Sequence, residues 1–230
     1  MAKSFAFAVL LGALVALALT GATSAPAAAG FSTVIDNTYF PLPPGTVLHY
    51  VGTSDRKKAA STTVVTSETR VIEGVTCVVV NDTGFTNGKA TEKTSDYYAQ
   101  DNQGNVWYYG EDSFELVKGK WVRSNGSWLA GVDGAQPGII MEAHPKVGDV
   151  YRQEYSPGHA EDMAEVLSTN ASVSVPYGSF DHALQTKEWT PLEPGVVDNK
   201  YYAAGIGEVE AVNVEGGDEL MELVSVTGGE

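Results

Sequence analysis

Short segments rich in β-branched and aromatic residues, each ended by a turn signal, restrict the fold of this chain more than any other feature. Residues 61–72 (STTVVTSETRVI) and the apolar run 75–80 flank Glu73-Gly74, a pattern typical of a two-residue hairpin turn. Further strands are predicted at residues 47–53, 95–100, 105–109, 121–122, 150–155, 171–175, 183–189, 208–214 and 220–226. About ten short strands at this spacing predict an all-β domain built as a meandering antiparallel sheet.

One segment, residues 156–167, fits two structures. Ala160, Met163, Ala164 and Leu167 follow helical spacing after a serine and a proline that suit a helix start. The same residues also suit a hairpin tip that leads into a long strand ending near Val175. The hairpin is slightly favoured, and one short helix remains the alternative.

The N-terminal residues predict export. After Lys3, residues 5–19 contain no charged side chain, which fits a signal peptide and is short of the ~20 apolar residues that span a bilayer. Small residues follow, with A-x-A cleavage sites, and the cut is predicted after Ala29. No cysteine lies near the cut, so a lipid anchor is not expected. The prediction is a signal peptide at 1–29 and a single exported domain at 30–230, secreted or periplasmic in a bacterial host, with no integral membrane segment.

Net charge narrows the classes of partner. Lys3 is the only charged residue in 1–29, so the mature chain would carry 13 Lys and Arg against 29 Asp and Glu, a net charge of −16. Such a surface repels phosphate backbones and anionic lipid headgroups, which argues against nucleic acid as a partner. Cations, basic partners and neutral ligands remain compatible with it.

The single cysteine, Cys77, lies in the apolar run 75–80. One thiol cannot form an internal disulfide, and no basic neighbour in sequence would activate it. We expect Cys77 to pack as a small hydrophobic residue within a strand.

Aromatic residues concentrate in the middle of the chain. Tyr98, Trp107, Tyr109 and Trp128 could form a stacking platform for a flat or amphipathic ligand. The alternative is an ordinary cross-strand aromatic ladder that stabilises the sheet, and it is favoured because such pairs are common in sheets.

Acidic residues raise the question of a metal site. Six oxygen-bearing residues could together form a calcium-like cage. They are Asp101, Asn105, Glu111, Asp112, Glu161 and Asp162. No EF-hand spacing is present, and an exposed acidic rim explains runs of charge more simply. Calcium is therefore the cofactor these residues would suit, while no cofactor is required by any motif.

Catalytic motifs do not emerge from the sequence. The four histidines form no H-E-x-x-H pattern, and the serines at 127 and 179 lack the G-x-S-x-G context of a nucleophile elbow. No catalytic residue is predicted. A hydrolase of an extracellular glycan or ester would need two carboxylates, or a serine and a histidine, converging in one cleft.

Three short motifs together resemble a known group of proteins. They are residues 39–46 (YFPLPPGT), residues 175–180 (VPYGSF) and residues 201–209 (YYAAGIGEV). The chain resembles a broad group of exported bacterial and archaeal β proteins of undetermined activity, whose domains look similar to the half-barrel of periplasmic lipoprotein carriers. The resemblance implies a strongly curved antiparallel sheet with a concave apolar face. Residues 101–133, aromatic, acidic and rich in glycine, have no counterpart in the carriers.

These observations favour an exported, non-enzymatic protein that holds a small apolar or amphipathic ligand. The ligand would occupy the concave face or the aromatic middle region. The alternatives are an extracellular structural or cation-binding surface protein and the hydrolase described above.

Overall fold

Strands make up most of the chain in the computed structural model, which describes residues 30–229; the predicted signal peptide lies outside the described residues. The strands are β1 (Phe31–Ser32), β2 (Val47–Ser54), β3 (Lys57–Ile72), β4 (Val75–Thr86), β5 (Lys89–Asp101), β6 (Val106–Val117), β7 (Lys120–Arg123), β8 (Trp128–Leu129), β9 (Gln136–Met141), β10 (Val150–Arg152), β11 (Glu154–Tyr155), β12 (Met163–Val175), β13 (Gly178–Trp189), β14 (Val197–Ala203), β15 (Gly207–Glu215) and β16 (Leu220–Thr227). No helix occurs in residues 30–229. This part of the chain therefore has no helix that is long and apolar enough to cross a membrane.

A single antiparallel sheet curls into a nearly closed barrel, which confirms the predicted fold class. Its main path runs β10-β12-β13-β14-β15-β16-β2-β3-β4-β5-β6-β9-β11, and β1, β7 and β8 pair beside it. The two end strands of this path, β10 and β11, are consecutive in the chain and separated only by Gln153. The backbone itself therefore bridges the two ends of the sheet.

Pairing of β16 with β2 joins the C-terminal strands to the N-terminal strands. Around this junction Leu48, Tyr50 and Leu223 are buried in a hydrophobic cluster with residues of β12 to β15. A larger cluster fills the rest of the interior and includes Val65, Met141 and Leu184. The two clusters account for the stability of a chain without a disulfide.

Turn residues match the hairpins that the sequence predicts. Glu73-Gly74 has φ angles of 48° and 80°, and Asn87-Gly88 has 49° and 77°. Positive φ at both central residues is the mark of a type I′ turn, whose twist matches that of the strands it joins. Pro176 and Tyr177 form the turn between β12 and β13, and neither has the positive φ of a type I′ turn.

The structure settles the segment 156–167 in favour of the hairpin. Ser156 and Ala160 form an isolated antiparallel bridge at the tip, and the chain enters β12 at Met163. Tertiary pairing with β10 and β13 outweighs the local helical spacing, because β12 lies between two strands that satisfy its backbone.

Cys77 is fully buried, as predicted for a small packing residue. Burial raises the pKa of its thiol to about 12, so the thiolate is not available at neutral pH.

Gly52 allows the close approach of β2 and β16. A Cβ atom at this position would lie 1.7 Å from the carbonyl oxygen of Leu220. We therefore expect Gly52→Ala to lower the free energy of unfolding by about 2 kcal/mol or more, because the two backbones would have to separate. Urea unfolding followed by tryptophan fluorescence measures the change.

Gly178→Ala is the matched control. A Cβ atom there meets nothing nearer than the Phe180 ring at 3.6 Å, so this variant should unfold like the unmodified protein. Equal stability of the Gly52 and Gly178 variants would contradict the proposed importance of the β2–β16 junction.

Candidate ligand cavity

A cavity of about 360 Å³ lies inside the barrel, within the size range of small-molecule sites. Its wall comes from strands β2 to β5, strands β13 to β16, and loop residues near positions 40, 162, 190 and 206. The apolar and aromatic part of the wall consists of Phe40, Pro41, Leu42, Leu48, Tyr50, Val80, Tyr98, Trp189, Val196, Ile206, Ala211 and Met221. A hydrocarbon or ring could pack against these side chains.

The rest of the wall is strongly acidic. Eight carboxylates line it, namely Asp82, Asp96, Asp162, Glu188, Glu193, Asp198, Glu208 and Glu219. Lys200 is the one cationic side chain among the described residues of the lining. The concave face is therefore amphipathic, and this corrects the expectation of an apolar concave face that the resemblance implied.

Lys200 anchors the charged part of the wall. Its Nζ lies 3.0 Å from Glu188 Oε2 and 3.6 Å from Glu208 Oε2. The other oxygen of Glu188 accepts hydrogen bonds from the Tyr202 hydroxyl at 3.0 Å and from Thr186 Oγ1 at 2.9 Å. Burial alone would lower the pKa of Lys200, but attraction to both glutamates outweighs it, and the pKa is raised well above its ordinary value. Lys200 is thus a permanent cation that is already paired.

Strand register explains why these polar residues share one face. Glu188 pairs with Asp198, and Asp198 pairs with Asn213, so the three side chains form a row across β13, β14 and β15. Directly paired residues in an antiparallel sheet point to the same side. Asn213 Nδ2 donates to Asp198 Oδ1 at 3.0 Å along this row.

Two β-bulges turn further glutamates inward. On β6 the register shifts between the pairs Tyr98↔Tyr108 and Asp96↔Glu111, which brings Glu111 to the side of Tyr108. On β15 a similar shift between Tyr201 and Tyr202 brings Glu208 inward. An extra residue in one strand reverses the side to which the next residues point, and bulges often re-aim side chains in this way.

Asp96, Tyr108 and Glu111 form a buried group that shares protons. The Tyr108 hydroxyl lies 2.6 Å from Asp96 Oδ1 and 3.0 Å from Glu111 Oε2. A phenol has one hydrogen to donate, so the second contact requires a proton on one of the two carboxyls. Burial raises the pKa of Glu111 to about 7 and also raises that of Asp96, which the charge of Glu111 increases further.

Other interior acids are affected in the same way. Burial, reinforced by nearby carboxylates, raises the pKa of Glu92 to about 7. Burial also raises the pKa of Asp162 to about 6, and raises that of Glu154 well above its ordinary value. Like charges in a poorly solvated space favour protonation, so the interior is short of positive charge.

The four aromatic residues predicted as a platform do not share one face. Tyr98 lines the cavity and stacks on Tyr108 at 4.8 Å, and Trp128 packs edge-on against Tyr108 at 5.5 Å. Trp107 and Tyr109 instead contact Phe31 at 6.4 and 5.8 Å. Because neighbouring residues of a strand point to opposite sides, Tyr108 faces inward while Trp107 and Tyr109 face outward. Only Tyr98 of the four lines the cavity.

The six residues predicted as a calcium cage do not meet at one centre. Asp101 accepts hydrogen bonds from Asn105 Nδ2 at 2.9 Å and Trp107 Nε1 at 2.8 Å within its own turn, and these bonds lower its pKa although burial opposes them. Glu161 Oε1 accepts from the Gly158 backbone N–H at 2.9 Å on the surface. Across residues 30–229 no three Asp, Glu, His or Cys side chains come together as a group that could hold a metal ion.

The two remaining pairs of the predicted cage are also divided. Asp112 faces outward, where it binds Arg70 at 2.5 Å and Arg123, whereas Glu111 faces inward. Asp162 lines the cavity, whereas Glu161 is outside the lining and accepts a hydrogen bond from the Gly158 backbone N–H. Strand register cannot be read from the sequence. It determines that Glu111 faces inward and Asp112 outward.

Sequence analysis missed the residues that carry most of the charge in the cavity. The strand β14, which holds Asp198 and Lys200, was not predicted, because polar residues interrupt its apolar pattern. One signal was available: Lys200 is the only cationic residue after Lys187, in a segment that contains ten acidic residues. A lone lysine in such a segment points to a specific ion pair.

Comparison with known proteins adds little to this picture. No protein-family model and no curated protein matches the chain. A solved structure with some similarity is that of a candidate lipoprotein from Parabacteroides distasonis ATCC 8503, with a TM-score of 0.46 and 11% sequence identity. The alignment covers 83% of this chain and 99% of the lipoprotein chain. Similarity this distant carries no argument about ligand or activity.

The raised pKa values predict that stability falls as pH rises from about 5 to 7.5. Glu111 titrates near 7 in the folded chain and near its ordinary 4.5 in the unfolded chain, so between these values the folded chain binds more protons. Each such group removes about 1.4 kcal/mol of unfolding free energy per pH unit across that window. The melting temperature measured by calorimetry should therefore be higher at pH 5 than at pH 7.5.

Glu111→Gln tests the assignment. It keeps the shape of the side chain and removes the titrating group, so the pH dependence should become shallower. The exposed Glu68→Gln variant serves as the control and should leave the dependence unchanged. A melting temperature that rises steadily from pH 5 to 7.5 would show that the interior carboxyls do not titrate as described.

Proposed function

We propose that the chain is an exported binding protein that holds a small amphipathic ligand inside its barrel. The observation that carries this proposal is the cavity, whose wall combines apolar and acidic side chains. An apolar pocket with a few placed polar groups is the usual form of a small-molecule site. Export follows from the signal peptide predicted at residues 1–29 and is part of the proposal.

Binding accounts for the interior better than hydrolysis does. A glycosidase needs two carboxyls on either side of the bond to be cleaved, with room for substrate between them. Asp96 and Glu111 are close, but the hydroxyl of Tyr108 lies between them and contacts both. Glu188 is likewise engaged by Lys200 and Tyr202. These carboxyls are held by neighbours, which suits a fixed wall more than a reacting pair.

Ala211 offers a way to fill the cavity without changing its charge. It lies on β15, opposite Lys200, and lines the cavity. We expect 1-octanol, an uncharged amphiphile, to raise the melting temperature of the unmodified protein in a concentration-dependent way, because a ligand that binds only the folded state stabilises it. Ala211→Phe should abolish this rise, since the ring would occupy the space of the ligand.

Val212→Phe is the matched control. Val212 is the next residue of β15 and points to the opposite side of the sheet. This variant should respond to 1-octanol like the unmodified protein. An equal rise in the Ala211 and Val212 variants would show that the alcohol binds outside the cavity and would contradict the proposal.

A further inference from the structure

We infer that the ligand of the cavity carries a positive charge: it is a small alkyl amine whose ammonium group lies among the cavity carboxylates while its apolar part lies against Phe40, Leu48 and Met221. This inference rests on the proposed function and specifies the chemical class of the ligand.

The first step is the imbalance of charge in the wall. Eight carboxylates face one ammonium group, and that group is already shared by Glu188 and Glu208. Four of the six remaining acids of the lining accept hydrogen bonds from uncharged donors. Asp82 accepts from Thr63, Asp96 from Tyr108, Asp198 from Asn213 and Glu219 from Ser54. A cation entering the cavity would meet carboxyl groups that no described cationic side chain pairs, and its charge would favour their ionised form.

A second observation comes from polar atoms without partners. Asn213 lines the cavity, and its Oδ1 is buried with no hydrogen-bond donor among the described residues. The hydroxyl of Tyr151, a residue only 8% exposed, is also buried without a partner. Tyr151 pairs with Ala164, which pairs with Glu188, so the Tyr151 side chain lies on the cavity face of the sheet, in the row of Glu188 and Asp198. The Asn213 oxygen, which belongs to the cavity wall, can accept a hydrogen bond, and an ammonium group has three N–H donors, whereas Tyr151 lies outside the lining.

The distribution of the acids favours an organic cation over a metal ion. The carboxylates come from β4, β5, β13, β14, β15 and the flanking loops, so they surround the cavity instead of meeting at one point. A calcium ion requires six to eight oxygens at one centre. An alkyl ammonium needs only two or three acceptors, and its chain uses the apolar side of the same cavity. Tyr98 and Tyr50 in the wall also present rings that attract cations.

An anionic amphiphile fits the same cavity less well. Lys200 would be its natural partner, but the head of that lysine is bound by two glutamates. A carboxylate ligand would have to displace one of them and lie beside the other acids. Burying a charge without a free counter-ion is costly, so the geometry disfavours fatty acids.

Three probes of equal chain length separate these cases: n-octylamine, 1-octanol and octanoate. At pH 7.5 the amine is positively charged and the acid negatively charged. Isothermal titration calorimetry should give an amine affinity at least about tenfold higher than that of the alcohol, as expected for one charged hydrogen bond, and the weakest binding for octanoate. Calcium chloride, titrated separately, should give no competing signal.

Asp198→Asn tests the site itself. It removes one cavity charge with little change in shape and should lower the amine affinity about tenfold while leaving the alcohol affinity unchanged. Asp181→Asn is the matched control, because Asp181 is exposed on β13. A circular dichroism melt of each variant establishes that it is folded, and Glu219→Gln replaces Asp198→Asn if the latter is not.

The outcomes distinguish this inference from the proposed function. If 1-octanol or octanoate binds as tightly as n-octylamine, or if the Asp198 and Glu219 variants retain full amine affinity, the cavity binds amphiphiles without preference for a cation and the inference is wrong. If none of the three probes binds, the proposed function itself is wrong. Calcium binding that competes with the amine would point to a metal site and would also overturn the inference.

Discussion

The pairing of β16 with β2 is the constraint on which the rest of the structure depends. It joins strands from the two ends of the chain, and Gly52 permits the contact because its missing Cβ leaves space for the carbonyl of Leu220. Combined with the short link through Gln153 between β10 and β11, it turns an open meander into a nearly closed wall. An open sheet would leave its polar face in water, whereas a closed one separates that face from bulk solvent.

Closure gives the acidic residues their unusual properties. Interior carboxylates in a space of low polarity favour the protonated form, and the shared proton among Asp96, Tyr108 and Glu111 reduces the repulsion. Lys200 compensates Glu188 and Glu208 but no other acid of the lining as directly. A fold selected for stability alone would replace such groups with apolar ones, and the retention of a costly polar interior is typical of a functional site.

Sequence reasoning predicted most of the strands and the turn at Glu73-Gly74, because β-branched runs and turn pairs act locally. It could not place the site, because a site depends on which side of the sheet a residue faces. The bulges on β6 and β15 reverse the side of the sheet that Glu111 and Glu208 face, and no local sequence pattern predicts these bulges. The strand that carries Lys200 was also not predicted. Its polar residues line the cavity, and they weaken the apolar pattern by which a strand is recognised.

Neighbouring residues show how strongly the side of the sheet controls chemistry. Asp112 points outward to Arg70 and Arg123; burial would raise its pKa, but the hydrogen bonds from both arginines lower it below the ordinary value. Glu111, one residue earlier, points inward and its pKa is raised to about 7. The excess of acidic residues therefore has two different outcomes: outside the barrel some acids are ion-paired with arginines, and inside it Lys200 is the one cationic side chain among the described residues of the cavity lining. The side of the sheet that an acid faces, more than the number of acids, therefore determines the charge of the cavity wall.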